Sequence, residues 1–344
     1  MTAPVRIGLI GTGIFASTSH VPAIHSIPER LTLTACANRT VEKAKHFATE
    51  AGLPESKIYS SLTELINDPE VDAIDALLPA SFSASAVKEA VAAGKPIAIE
   101  KPIAANLELA REVVAVARST DLPVAVLENF VFWNAIPEIK KLLPQIGKIV
   151  YFSHYCTAPF NTKSVYLATP WRLHPQHVGG YLSDGGVHQV ALFTEVLGEV
   201  DTVSGMTTQV REQSGDVDSM TTTLKMKSGL MGTFTYTSAV SYPRINRLLI
   251  HGVSGTVAYD FANKTNSTIT LYTDTDQAGT TKVVPADDHA GISAEFANFA
   301  EAVQKKDKSL LKVPAEKGFH HFAVICAAVE SAKNGGTVVK VATP

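Results

Sequence analysis

The sequence predicts an α/β chain in two parts: a doubly wound parallel sheet, then an α+β domain with a large, mostly antiparallel open sheet. Three observations predict it. Short apolar runs alternate with helical patterns through residues 1–127, which is the order of strand–helix–strand units in a parallel sheet. The first apolar run passes directly into a glycine-spaced turn. Beyond residue 148 single apolar and polar residues alternate, as in antiparallel strands with one buried face.

A length of 344 residues is too great for one ordinary core and implies two domains, placed at 1–127 and 128–344. Hydrophobic residues make up 45% and charged residues 18%, the composition of a globular chain. A net charge of −3 gives no electrostatic basis for nucleic acid as a partner. No polybasic segment points to a membrane surface, and no apolar run reaches the roughly 20 residues that span a bilayer. Cys36, Cys156 and Cys326 are too few and too scattered for a disulfide framework, so each is expected to be a buried apolar residue. No charged-then-apolar leader precedes Val5, and a cytoplasmic location is the expectation.

Val5 to Ile10 is the first strand. Gly11, Gly13 and Ala16 follow in G-x-G-x-x-A spacing, with Ser17 to Ile27 continuing as a helix. Gly11 permits the tight turn, Gly13 lets the backbone approach a pyrophosphate, and the helix start favours its charge. Thr12, Ile14 and Phe15 belong to the same loop and are candidate cofactor contacts. Leu31 to Ala37 is a second strand, ending in Asn38-Arg39-Thr40. A site selecting NAD usually carries a carboxylate here to bind the ribose 2′-hydroxyl. None is present, and the Arg39 guanidinium suits a 2′-phosphate instead, so NADP(H) is the predicted cofactor. A solvated arginine at a helix start is the competing explanation.

Val41 to Gly52 reads as a helix capped by glycine, and Ser61 to Asn67 as a short one with Ser61 and Glu64 in capping-box register. Ala73 to Leu78 is the next strand, and Leu78 and Pro79 at its end should face the cofactor crevice. Ala84 to Ala93 is a helix. Ile97-Ala-Ile99 is a short run buried on both faces, ending in Glu100-Lys101-Pro102. A lysine at the carboxyl end of such a strand can hold its ammonium against a reacting oxygen; a plain surface Glu–Lys pair is the alternative. Leu107 to Ser119 is a helix, and Asp121 to Leu127 carries a further strand.

The chain resembles the glucose-fructose oxidoreductase / inositol dehydrogenase family over nearly its whole length. The resemblance rests on Gly11-x-Gly13-x-x-Ala16, on Ala93-Gly-Lys-Pro…Glu-Lys-Pro102, on Trp171-Arg172, and on Gly179-Gly180…Asp184-Gly-Gly-Val-His188. Gly11-Thr-Gly-Ile-Phe-Ala16 and Asp75-Ala-Leu-Leu-Pro79 resemble a fungal NADP(H)-dependent branch. The resemblance implies a Rossmann domain followed by a mostly antiparallel domain whose open sheet often mediates oligomers, here a homodimer. It implies that Lys101 lies by the nicotinamide, with Glu100, Asn129, Trp171 and Arg172 among the cofactor contacts, and that Asp184 and His188 complete the polar site. There are departures: Ala80 and Ser83 stand where the family often has Asn and His, Ala191 where it often has Asp, and Trp133 near the place of a missing arginine. These bear on the substrate more than on the chemistry.

Ile136 to Leu143 is a helix, and Lys148 to Thr157 starts the second sheet. Leu182 to Gly198 forms a helix on which Asp184 and His188, four apart, share a face. The carboxylate can then support an imidazole that gives or takes a proton near neutral pH. An N-capping aspartate beside a satisfied histidine is the structural alternative. Met220 to Met226, Leu230 to Tyr236, Leu248 to His251 and Thr256 to Phe261 continue the sheet. Ala294 to Lys305 and Glu316 to Lys333 are amphipathic helices whose Phe296, Phe299, Phe319 and Phe322 read as core.

The predicted activity is hydride transfer between NADP(H) and a carbonyl or hydroxyl carbon of a small sugar, polyol or aldehyde. Lys101, His188 and Asp184 would carry the chemistry, with either Lys101 or His188 delivering the proton. Tyr155 and His177 are expected to shape the pocket. A metal enzyme using His174, His177, Asp184 and His188 is disfavoured because Gly179-Gly180 interrupts the segment, and no metal is predicted. A catalytically silent NADP-sensing regulator of the same fold is the alternative function.

Overall fold

The computed structural model describes residues 3–166, 175–263 and 265–344. Contacts divide the chain into two units, Met1–Phe132 with Asp288–Phe319 and Trp133–Asp287 with His320–Thr343; Pro344 falls with the first. The strand runs read from the sequence therefore sort as expected, while residues 288–319 join the N-terminal unit from far along the chain.

In the first unit, strands β1 (Val5–Ile10), β2 (Leu31–Ala37), β3 (Ile58–Tyr59), β4 (Ala73–Ala76), β5 (Ile97–Glu100) and β6 (Val124–Leu127) pair in parallel, in the order β3-β2-β1-β4-β5-β6. The order reverses between β1 and β4, so a crevice opens beyond their carboxyl ends. Ile97, Ala98 and Ile99 are buried, as a strand covered on both faces requires. The local punctuation follows the sequence. Gly52 caps helix Val41–Ala51 at φ +73°. Ser61 caps helix Leu62–Ile66 by accepting from the Glu64 N–H. The Glu64 carboxylate reaches back in turn, accepting from the Ser60 N–H and hydroxyl as well as from the Ser61 backbone.

Helix Ile292–Lys305 completes this core. Ile292, Phe296, Phe299 and Leu311 pack in one cluster with Val5, Ile7, Leu9, Leu33 and Leu127. The segment behind it covers the edge of β6, with the Val126 N–H donating to the Val313 carbonyl. An uncovered edge strand is a liability, and that cover gives a physical reason for the late segment to lie here.

In the second unit, strands β7 (Ile149–Pro159), β8 (Val200–Thr208), β9 (Ser219–Met226), β10 (Met231–Val240), β11 (Ile245–Gly252), β12 (Gly255–Asp260), β13 (Asn266–Thr273), β14 (Asp276–Pro285) and β15 (Val339–Lys340) form one sheet. Its order is β14-β13-β12-β11-β7-β10-β9-β8-β15, antiparallel except for β7 beside β10. Phe152, His154 and Cys156 of β7 face inward, and Phe152 and His154 pack on Phe193 of helix Val187–Leu197. Phe234 of β10 joins them.

Gly232 makes this packing possible. A Cβ there would stand 2.2 Å from the ring of Phe152, which is fully buried and has nowhere to go. Gly232→Ala is expected to destabilise the protein by about 3 kcal/mol, the upper end of overpacking costs. Thermal and urea unfolding of the variant against the parent measure it, and an unchanged midpoint would contradict this account of the core.

Candidate active site

The glycine turn leaves β1 with Gly11 at φ +98°. A Cβ on Gly11 would lie 2.2 Å from the Leu77 carbonyl oxygen, so only glycine fits there. A Cβ on Gly13 would meet no atom within 4 Å, which leaves the backbone there open to an approaching ligand. The chain then enters a wide π turn, Ala16–His20, in which the Val21 N–H donates to the Ala16 carbonyl, followed by α-helix Val21–His25. The sequence predicts one uninterrupted α-helix here; Pro22 has no N–H to continue the α ladder, and the wider turn absorbs the break. An open glycine cradle at a helical start fits a dinucleotide pyrophosphate.

The other predicted cofactor residues of this unit stand at the same carboxyl ends. Asn38 braces the loop: its Nδ2 donates to Thr12 Oγ1 at 2.8 Å and its Oδ1 accepts from the Thr40 N–H at 2.9 Å. Arg39 beside it is exposed. Ile14 and Phe15 are about one-third exposed on the loop, at 38% and 37%. Leu78 is half-buried and Pro79 exposed after β4, and Glu100 and Lys101 are half-buried at the end of β5. Asn129 follows β6, and its Nδ2 donates to the Ala290 carbonyl at 2.6 Å.

Sequence reasoning missed the group at the centre of this edge. His20 is fully buried, with Nδ1 2.8 Å from Asp75 Oδ2 and Nε2 2.9 Å from Glu100 Oε1. The rings of Phe15 and Phe296 pack against it in T-shaped contacts, with centroids at 5.1 and 5.0 Å. Burial alone would lower the imidazole pKa, but the Asp75 and Glu100 carboxylates outweigh it and push it up from 6.5 to about 10. Burial raises the Asp75 carboxyl. Glu295, on the helix that joins this unit late, is buried near Glu100 and Glu128, and burial followed by those two charges holds its carboxyl well above 4.5. The signal was present in the sequence as one charged residue, Asp75, inside a strand otherwise apolar, because a buried carboxylate demands a partner.

In the second unit, Asp184 falls in a π turn, Leu182–Gly186, and His188 in the first turn of helix Val187–Leu197. Both are half-buried. The Tyr236 hydroxyl lies against this turn, where a Cβ on Gly185 would stand 2.1 Å from it. Burial, with Cys156 and Asp184 adding to it, pushes the Tyr236 phenol far above its ordinary value. Trp171, Arg172 and His174 lie outside the described residues. His177 Nε2 is 3.2 Å from the Gly180 carbonyl. Tyr155 points to the exposed face of its sheet, opposite His154 and Cys156. Strand alternation therefore removes it from the face that carries helix Val187–Leu197.

A model of the oxidoreductase family's NAD-binding Rossmann fold matches residues 5–128, and one of the family's C-terminal alpha/beta domain matches residues 140–341. The chain belongs to the Gfo/Idh/MocA oxidoreductase family. An uncharacterized protein of Saccharomyces cerevisiae is 44% identical over 348 residues, covering 99% of this chain and 100% of that one. A solved oxidoreductase from Thermotoga maritima is 27% identical, with a TM-score of 0.87 and 98% of each chain covered. Levoglucosan dehydrogenase, solved with NADH and L-sorbose, shares the fold at 19% identity, with a TM-score of 0.87 and 100% of each chain covered. As a Gfo/Idh/MocA chain, the protein takes a nicotinamide dinucleotide on its Rossmann sheet. Among its described residues no helix is long and apolar enough to cross a membrane.

The buried acids of this Gfo/Idh/MocA site make stability depend on pH in one direction. His20 and Glu295 both bind protons more tightly folded than unfolded. Their contributions are full below the unfolded values and are lost as pH rises through the folded ones. For His20 that window runs from 6.5 to about 10, and for Glu295 it begins at 4.5. The melting temperature is expected to fall across this range. Glu295→Gln, which keeps the shape without the ionisable proton, should be more stable than the parent at about pH 8 and equal to it near about pH 4. Thermal unfolding of both proteins across pH checks this; a parent more stable than the variant at the higher pH would refute it.

Proposed function

We propose that the protein transfers hydride reversibly between NADP(H) and a carbonyl or hydroxyl carbon of a small sugar, polyol or aldehyde, as in a fungal NADP(H)-dependent branch of its family. The observation that carries this reading is Lys101 at the carboxyl end of β5, on the sheet edge that also bears the open glycine turn. Bound NADPH supplies the hydride to a carbonyl carbon. Lys101 donates a hydrogen bond to the substrate oxygen and stabilises the negative charge that develops on it, the kind of electrostatic contribution that is usually largest. A ring nitrogen of His188 then delivers the proton to that oxygen, with Asp184 orienting the imidazole. Gly11 and Gly13 hold the pyrophosphate, Thr12, Ile14 and Phe15 the adjoining part of the nucleotide, and Leu78, Pro79, Glu100 and Asn129 flank the nicotinamide. Trp171 and Arg172 would complete the cofactor contacts.

The choice of NADP(H) is supported by the exposed Arg39 and by an Asn38 whose amide is engaged by Thr12 and Thr40, leaving no carboxylate at the ribose position. A sugar-like substrate is supported by the relative solved with L-sorbose. A cytoplasmic location is supported by three buried cysteines, none of them in a disulfide.

Purified protein assayed for NADPH oxidation against a panel of carbonyls tests the proposal. Lys101→Ala and His188→Ala should each lower turnover by about 10²–10⁴-fold. Arg39→Ala should weaken NADPH about tenfold or more while leaving NADH unchanged, the value of a charge-assisted contact. Binding of NADPH without turnover on any carbonyl would replace the enzyme with an NADP-sensing regulator.

The open face of the second sheet supports a homodimer. Met206, Thr221, Thr235, Tyr155 and Arg247 stand side by side across it in register, and Met206 and Tyr155 are exposed. Light scattering should give twice the 36.7 kDa chain mass, and Tyr155→Glu should shift it toward the monomer. A monomeric parent at micromolar concentration would end this assignment.

A further inference from the structure

We propose that His20 is a positioning residue for Lys101: as an imidazolium it ties the carboxylates of Asp75 and Glu100 together across the ends of β4 and β5, and so sets where the chain turns into Lys101. The role rests on the reading of Lys101 as the group that holds the substrate oxygen.

With both carboxylates ionised, this geometry calls for two donors on one ring. Both His20 nitrogens face carboxylate oxygens, at 2.8 and 2.9 Å. An ionised carboxylate only accepts, and a neutral imidazole has a single N–H to donate, whereas an imidazolium donates at both nitrogens. Each bond is then charge-assisted, on both sides. The groups that face this pair come from every element packed around it. They are Asp75 from β4, Glu100 from β5, and Glu295 from helix Ile292–Lys305, with Glu128 at the end of β6 facing Glu295. Phe15 and Phe296 pack against the ring in T-shaped contacts. Burial opposes the charge on His20, and the two carboxylates overcome it, holding the imidazole protonated well above neutral pH.

The network opens to solvent at Glu100. The side chains of His20 and Asp75 are wholly buried, and that of Glu100 is 16% exposed, immediately before Lys101. His20 also belongs to the π turn that follows the glycine loop. One imidazolium therefore joins the nucleotide-binding loop to the strand end that bears the reactive lysine. Without its charge, Asp75 and Glu100 would repel each other in a buried space, and Glu100 would swing outward and carry the Lys101 backbone with it.

Imidazole ¹⁵N NMR of the full-length protein reads the charge directly, with His20 assigned by its loss in His20→Gln. The signal of a doubly protonated ring is expected at about pH 8, where an ordinary histidine is neutral; a neutral ring there overturns the proposal. In kinetics, His20→Gln should lower kcat about tenfold or more, as small misplacements of a reacting group do, a larger fall than that in NADPH affinity read by fluorescence. Should that variant fail to fold, His20→Gln with Asp75→Asn removes the buried pair as neutral groups and should show the same split. An unchanged kcat in a folded variant, against an active parent, overturns the positioning role alone. A parent inactive on every carbonyl overturns the functional reading and this role with it, and the two failures are told apart by whether the parent turns over.

Discussion

A buried histidine held between two carboxylates is the contact on which the cofactor edge of this protein depends. Asp75 and Glu100 within β4 and β5, Glu128 just after β6, and Glu295 on helix Ile292–Lys305 gather at the carboxyl edge of the sheet, where water is largely excluded. Several carboxylates in such a place cannot all stay charged without compensation. His20 supplies a positive charge to two of them, and burial with the neighbouring charges holds the Glu295 carboxyl well above its ordinary value. The result is an acid cluster at the sheet edge, joined through His20 to the turn that follows the glycine loop and reaching Lys101 through Glu100.

The second unit solves a different problem. Its helix Val187–Leu197, with His188 in its first turn and Asp184 in the π turn before it, is anchored by Phe193 packed against Phe152, His154 and Phe234 of the sheet. Two glycines yield space for this. Gly232 makes room for the Phe152 ring, and Gly185 lets the Tyr236 hydroxyl reach the π turn that carries Asp184. Aromatic packing thus orients the polar turn, and the wide turn is tolerated because glycine lines it.

Much of this was legible in the residues. The apolar run Ile97–Ile99 announced a central strand, the Gly11–Gly13 spacing announced the turn, and Gly52 and Ser61 marked helix ends at which the structure caps them. What local pattern does not carry is partner choice over long separation. Helix Ile292–Lys305 shows an apolar stripe whichever sheet it covers, and only the assembled core reveals that Phe296 and Phe299 serve the first. The same holds for His20, which lies 55 residues from Asp75 and 80 from Glu100. The π turn that aims it inward has no periodicity of its own, and Pro22 is its local trace. Asn38, a candidate cofactor residue in the sequence, has its amide bonded to Thr12 and to the Thr40 N–H, a pairing no local pattern announces.

Stability alone gives no reason for the His20 network. Burying ionised groups costs several kcal/mol each, on the order of what their mutual attraction returns, and apolar side chains of similar volume commonly do as well or better. The first unit has ample apolar core without it, from Ile7 and Leu9 through Phe296 and Phe299. What apolar residues cannot do is hold two carboxylates in one geometry or give Glu100 a fixed direction at the strand end. A charged triad whose partially exposed member immediately precedes Lys101 is therefore accounted for by the placement of that lysine, and its energetic cost is the measure of how closely the placement is held.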